Sequence, residues 1–357
     1  MTTYMKMGNR IRVSADGAMD LRTDLPAANY IIQYNGNTNE YFLEETSPFL
    51  LPSKMYGDID KTADRIIHTY SDRTASTGVL LSGDKGSGKT LLAKRIGQRL
   101  LDRGIATLVI NENLFGEQFN QFIQSIDQPC VIIFDEFEKV YKREEQTQIL
   151  TLLDGVFSTK KLFILTTNDP YRIDEHMQNR PGRLFYNIHY TGLDTGFIRE
   201  YCEDTLNNKT YIDEICKLST LFASFNFDIL KALVEEMNRY DESPKDALKL
   251  LNAYPEDSRN NKFKVSITIG DRVLPDDELY DDGDWSGNPM SPSGVSVDYE
   301  NPERKTDDNA PHWASIRMMP PHLKNVDYIT GAFMFVNGDI TVTLTRDKHQ
   351  RYVYNAF

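Results

Sequence analysis

The segment GDKGSGKT, Gly83 to Thr90, has the composition of a phosphate cradle. Gly83, Gly86 and Gly88 let the backbone approach phosphate oxygens with its amide hydrogens turned inward. Asp84, Lys85 and Ser87 fill the positions between them. Lys89 is spaced to reach the β- and γ-phosphates, and the Thr90 hydroxyl suits Mg²⁺. The segment follows the apolar run GVLL and opens the helical run KTLLAKRIGQRLLDRG, which Gly104 closes. A strand before and a helix after favour this reading over a chance glycine-rich turn. A second segment, VIIFDE, puts two carboxylates at the end of an apolar strand. Ligands of open α/β sheets bind at that edge. Asp135 can hold Mg²⁺ through its hydration shell, and Glu136 can orient and deprotonate a water. The chemistry implied is hydrolysis of the terminal phosphate of a nucleoside triphosphate.

These residues need a sheet to hold them. Between Thr77 and Tyr190 the apolar runs GVLL, ATLVI, CVIIFD, KLFILTT and LFYNIHY alternate with helical segments. That pattern predicts βαβ units, with a parallel sheet and helices on both faces: an α/β P-loop NTPase. Residues 1–54 read as a small region of strands and turns. Residues 55–190 read as the large α/β subdomain. Residues 191–254 show no strand pattern and read as a helical lid, with FDILKALVEEM amphipathic. Residues 255–357 read as an acidic loop followed by a β-rich domain. The loop expectation rests on the Asp, Pro, Gly and Ser between 275 and 311. Asn337-Gly338, between two alternating runs, predicts a hairpin.

Composition excludes other classes. The chain has 357 residues, 40% of them hydrophobic, which is enough for a core. No apolar run is long enough for a transmembrane helix, and the N-terminus lacks an apolar signal core. Three cysteines, Cys130, Cys202 and Cys216, have no metal spacing and fit a reducing cytoplasm. The formal net charge of -13 argues against a duplex-DNA reader. The six histidines do not cluster with cysteines, and DDELYDDGD lacks the ligand order of a calcium loop.

With GDKGSGKT and VIIFDE, the segments LLDGVFSTKKLFILTTN and NRPGR make residues 55–250 resemble the AAA+ ATPases, within them the core AAA clade. Phage-encoded members and the AAA translocases of the mitochondrial inner membrane look most similar. The resemblance places Asn168 where the family positions the attacking water. It matches Arg180 and Arg183 to the paired arginines that reach a neighbouring subunit's nucleotide, Arg180 being the better single match. It implies a ring homo-oligomer, often a hexamer, and a protein substrate to remodel, unfold or translocate. A nucleic-acid-associated ATPase or helicase loader is the alternative, against which the acidic charge weighs. Departures are visible. Asp84 and Lys85 stand where the family has prolines. SFNFDILKAL offers Asn226 and Asp228 and no arginine, so no second sensor arginine is expected. The family's pore loop falls at residues 111–117, where Leu114, Phe115 and Gly116 shift the aromatic by one. Either Leu114 and Phe115 grip a substrate in the ring channel, or they pack under the neighbouring helix.

Overall fold

The computed structural model describes residues 3–7, 10–14, 22–155, 157–174, 176–177, 180–190, 192–220, 222, 225–253, 262–301, 313–327 and 330–346. Asn179, part of the NRPGR segment, lies outside them. The chain forms two compact units that divide after Tyr190.

The first unit opens with an antiparallel pair, β1 (Thr3–Met7) and β2 (Arg10–Ser14). A hairpin follows, β3 (Asn29–Asn35) and β4 (Glu40–Thr46), and then α1 (Ile59–Asp72). Next come β5 (Thr77–Gly83), α2 (Lys89–Leu101), β6 (Ala106–Ile110), α3 (Glu117–Ser125) and β7 (Cys130–Phe134). The unit closes with α4 (Phe137–Val140), α5 (Arg143–Leu153), β8 (Lys161–Thr167) and β9 (Tyr186–Tyr190). Seven strands form one sheet in the order β4-β3-β6-β7-β8-β5-β9. Every pairing from β3 to β9 is parallel, and only β4 runs against its neighbour. The first hairpin therefore extends the parallel sheet, through Tyr30 opposite Leu108, rather than standing apart from it.

The burial pattern explains why these runs are apolar throughout. β5, β7 and β8 are buried at every position. Successive residues of a strand face opposite sides, and helices cover both. Leu80, Ile132, Phe163 and Leu165 enter one core. Val79, Leu81, Val131, Ile133, Leu162 and Ile164 enter the other. Among these three strands Lys161 is the charged exception: its buried ammonium donates to the carbonyls of Ile126 (2.6 Å) and Gln128 and to Thr159 Oγ1 (2.9 Å).

The second unit begins with α6 (Thr195–Thr205), α7 (Ile212–Ser219), α8 (Phe227–Tyr240) and α9 (Pro244–Leu248). Asp194, Asn226 and Ser243 cap three of them by accepting backbone N–H groups. The β part comprises β10 (Lys262–Ile269), β11 (Arg272–Val273), β12 (Asp284–Ser286), β13 (Val295–Glu300), β14 (Trp313–Met318), β15 (Leu323–Asp327), β16 (Ala332–Asn337) and β17 (Ile340–Arg346). A sheet of six strands runs β11-β10-β17-β16-β15 with β12 on β10. The Asn337-Gly338 hairpin joins β16 and β17. Arg346 ties this sheet to the helices: its guanidinium donates to the carbonyls of Thr220 (2.8 Å) and Phe222 (2.9 Å). The expected loop over 275–311 is corrected up to residue 301. Short helical turns, β12 and β13 occupy it, because Leu279, Val295 and Val297 are buried in the β core. Residues 302–312 lie outside the described set. Among the described residues no helix is long and apolar enough to cross a membrane.

Gly78 shows how the sheet places the arginine segment. A Cβ there would meet the Arg183 carbonyl oxygen at 2.0 Å, while Phe185 N–H donates to the Gly78 carbonyl at 2.8 Å. Gly78→Ala should therefore push the 183–185 segment off β5 and destabilise the chain by about 1–3 kcal/mol, read from denaturant unfolding. An unchanged midpoint would contradict this close approach.

Candidate functional site

β5 delivers the chain to the sheet edge, and three glycines turn it. Gly83, Gly86 and Gly88 have φ of 132°, 77° and 92°, a region that side chains disfavour. At Gly83 a Cβ would also meet the Tyr190 carbonyl oxygen at 2.3 Å. α2 then starts with no side-chain cap and no acid in its first turn. Its first amides and the positive end of its dipole are left to an anion. Lys89 is buried, and its ammonium lies along the inside of the loop. It donates to the carbonyls of Gly83 (2.6 Å) and Asp84 (2.7 Å) and reaches Ser87 Oγ at 3.3 Å. Burial pulls its pKa below the ordinary lysine value, opposed by the carboxylates of Asp84, Glu138, Asp135 and Glu136.

β7 carries the acids to the same edge. Asp135 Oδ1 accepts the hydroxyl of Thr90 at 2.9 Å and that of Thr166 at 2.7 Å. Thr166 Oγ1 in turn accepts the backbone N–H of Glu136 at 2.9 Å. Both hydroxyl protons are thus directed at Asp135, and the Thr90 oxygen keeps its lone pairs free for a cation. Glu136 sits at φ 51°, ψ 46°, a left-handed turn that costs a non-glycine residue on the order of 1 kcal/mol or more. The Thr166 bond holds it from behind. Phe137 anchors it from the front, its ring 5.8 Å from Phe134 and 4.9 Å from Tyr141. The turn leaves the Glu136 carboxylate half exposed beside Lys139, with which it pairs. The Lys139 ammonium, and then the Asn168 amide, hold the carboxyl below its ordinary pKa. Asn168 follows β8. Its backbone N–H and its Nδ2 both donate to Glu138 Oε1, at 3.0 and 3.1 Å.

The two arginines separate. Arg183 is bound by its own chain: Nε donates to Asp154 Oδ1 at 2.6 Å, a second nitrogen reaches Asp154 Oδ2, and Nη1 donates to the His176 carbonyl at 2.8 Å. The Asp154 hydrogen bond raises its pKa further. Arg180 is exposed, and among the described residues its side chain has no hydrogen-bond or ion-pair partner. Both line an open cavity of about 420 Å³ with Ser76, Asp154 and Gly182. The two arginines therefore differ in how readily they could reach a neighbouring subunit. Arg183 would have to abandon a two-point ion pair to leave its own chain.

The 111–117 loop resolves toward packing for one of its two apolar residues. Leu114 is 7% exposed and belongs to the core with Ile110, Phe119 and Tyr141. The Tyr141 hydroxyl donates to the Leu114 carbonyl at 2.9 Å. Phe115 is half-buried against the same cluster. Sequence reading passed over Thr166 and Glu138. The only signals were a threonine two residues before Asn168 in LTTN and a third acid in DEFE. The donor set fits ATP with Mg²⁺: open helix amides, an inward ammonium, and a hydroxyl oriented by a carboxylate. Thr90 would ligate the ion directly and Asp135 through its hydration shell.

The packing makes one variant pair diagnostic. Leu114→Ala should cost about 2–5 kcal/mol of stability in denaturant unfolding, and Phe115→Ala clearly less. Equal and small losses would show that Leu114 is not core.

Comparison with known proteins agrees with this geometry. The profile of the ATPase family associated with various cellular activities (AAA) matches residues 79–191. A nuclear valosin-containing protein-like protein of Mus musculus is 28% identical over 236 residues, covering 55% of this chain and 27% of its own. The peroxisomal ATPase pex1 of Schizosaccharomyces pombe is 32% identical over 184 residues, 44% of this chain and 19% of its own. A cell division cycle protein 48 homolog of Archaeoglobus fulgidus is 31% identical over 162 residues, 39% and 21% respectively. The chain thus spans less than a third of the length of each of these relatives. Residues 79–191, from within β5 to just past β9, are an AAA ATPase domain.

Proposed function

We propose that the chain hydrolyses ATP as a subunit of a ring and uses the energy to remodel, unfold or translocate a protein partner. The observation that carries the proposal is the cluster in which Asp135, Thr90, Thr166 and Glu136 share hydrogen bonds beside the open end of α2. The amides from Gly86 to Thr90 and the Lys89 ammonium hold the phosphates. Thr90 and Asp135 would hold Mg²⁺, which would supply charge neutralisation at the phosphate oxygens. Glu136 accepts the proton of a water that attacks the γ-phosphorus in line, and Asn168 orients that water. ADP and phosphate are the products. Arg180 of a neighbouring subunit neutralises charge that develops on the γ-phosphate.

Four parts divide the work: a β region at 1–54 whose β3 and β4 extend the ATPase sheet, the ATPase subdomain at 55–190, a helical lid at 191–254 and a β domain at 255–357. The lid and β domain select or convey the substrate. The net charge of -13 favours a protein over a nucleic-acid partner. Three free, buried cysteines suit a cytoplasmic setting. A ring of six is the form that the family resemblance supports.

Subunit sharing makes a mixing experiment decisive. Arg180→Ala and Glu136→Gln subunits should each be inactive alone and regain part of the rate when mixed, since one interface type then has both groups intact. No recovery, or a fully active monomer, would refute the shared site. Arg183→Ala should differ in kind: it should lose about 1–3 kcal/mol of stability in thermal melting, because it unpairs Asp154 within its own subunit.

A further inference from the structure

Glu138 lies two residues beyond Glu136 and has a different environment. Glu136 is half exposed, whereas Glu138 is 9% exposed. Both hydrogen bonds to Glu138 come from one residue, Asn168, through its backbone N–H and its Nδ2. Its second oxygen, Oε2, is buried with no hydrogen-bond partner among the described residues. A buried carboxylate with an unpaired oxygen is destabilising, so packing does not account for it.

The Asn168 amide has two N–H groups to give. One goes to Glu138. The amide also lies near enough to Glu136 to help hold that carboxyl below its ordinary pKa, after the larger effect of Lys139. A flipped amide would bring its oxygen against Glu138 Oε1, acceptor facing acceptor. The flipped state is therefore excluded for as long as Glu138 offers an acceptor there. α4 supplies the rigidity: Phe137 is fully buried, and Glu138 follows it directly.

We propose that Glu138 is a positioning residue that fixes the amide orientation of Asn168, so that Asn168 presents its N–H, and not its oxygen, to Glu136 and the attacking water. This rests on the reading that Asn168 and Glu136 serve ATP hydrolysis. Glu138 itself touches neither water nor phosphate.

The test is a double-mutant cycle on single-turnover hydrolysis at saturating ATP and Mg²⁺, with ATP affinity measured in parallel. Asn168→Ala should slow hydrolysis; if it does not, the sensor reading fails, and the proposal with it. Glu138→Ala should slow hydrolysis by up to about 10²-fold, as misplacement of a catalytic group does. ATP affinity should stay within about twofold of the native value. Glu138→Gln, whose carbonyl still accepts both N–H groups, should recover most of that loss. In the Asn168→Ala background, Glu138→Ala should add nothing. If the two losses multiply, or Glu138→Ala weakens ATP binding at an unchanged rate, Glu138 does not act through Asn168 and the proposal is overturned. Should Glu138→Ala fail to fold, Glu138→Leu takes its place in the same cycle: it fills the space without an acceptor, should slow hydrolysis in the native background and should add nothing in the Asn168→Ala background. Losses that multiply would overturn the proposal.

Discussion

One carboxylate oxygen organises the site. Asp135 Oδ1 receives the hydroxyls of Thr90 and Thr166, and so joins the first turn of α2 and the end of β8 to the end of β7. Three elements that are distant in sequence are held within hydrogen-bond reach of one atom. Because both protons point at Asp135, the free lone pairs of Thr90 are where a cation needs them. Because Thr166 is anchored, its oxygen can hold Glu136 in a left-handed turn. The Glu136 carboxylate owes its half-exposed position to that bond and to the buried ring of Phe137 next to it.

The sheet explains why this arrangement is rigid. Helices cover both faces, so β5, β7 and β8 are buried along their whole length. Each residue is fixed by packing on one side or the other, and only the strand ends are free to carry chemistry. The arginine segment obeys the same constraint. The backbone at Arg183 approaches β5 at Gly78, where no side chain stands in the way. This fixes Arg183 against Asp154 and leaves Arg180 exposed at the cavity.

Local sequence made the core of the site legible. GDKGSGKT and VIIFDE place ligand groups at the same edge of the sheet, at the ends of β5 and β7 on either side of β8, and the strand–helix alternation around them predicts the α/β sheet. What was not legible depends on partners far apart in the chain. Thr166 and Glu138 are ordinary residues until β8 and α4 bring them to Asp135, Glu136 and Asn168. The pairing of β3 with β6 is also non-local, so the strands of residues 29–46 read as strands without revealing which sheet they join. Leu114 and Phe115 were ambiguous because two adjacent apolar residues in a loop suit a substrate and a core equally; the position of Tyr141 decides for Leu114. Between 275 and 301 the acidic, Gly- and Pro-rich composition suggested a loop. A few apolar residues, Leu279, Val295 and Val297, are enough to tie it into the β core.

The central claim is that Glu136 acts as the base at a site completed by a second subunit. Single-turnover hydrolysis of ATP with Mg²⁺, followed over rising protein concentration for the native chain and for Glu136→Gln, tests it most directly. The native rate should climb with concentration as subunits meet. Glu136→Gln should bind ATP and hydrolyse it about 10²–10⁴-fold more slowly, since positioned proton transfer contributes that much. A native rate that ignores concentration, or a Glu136→Gln rate equal to the native one, would contradict the account.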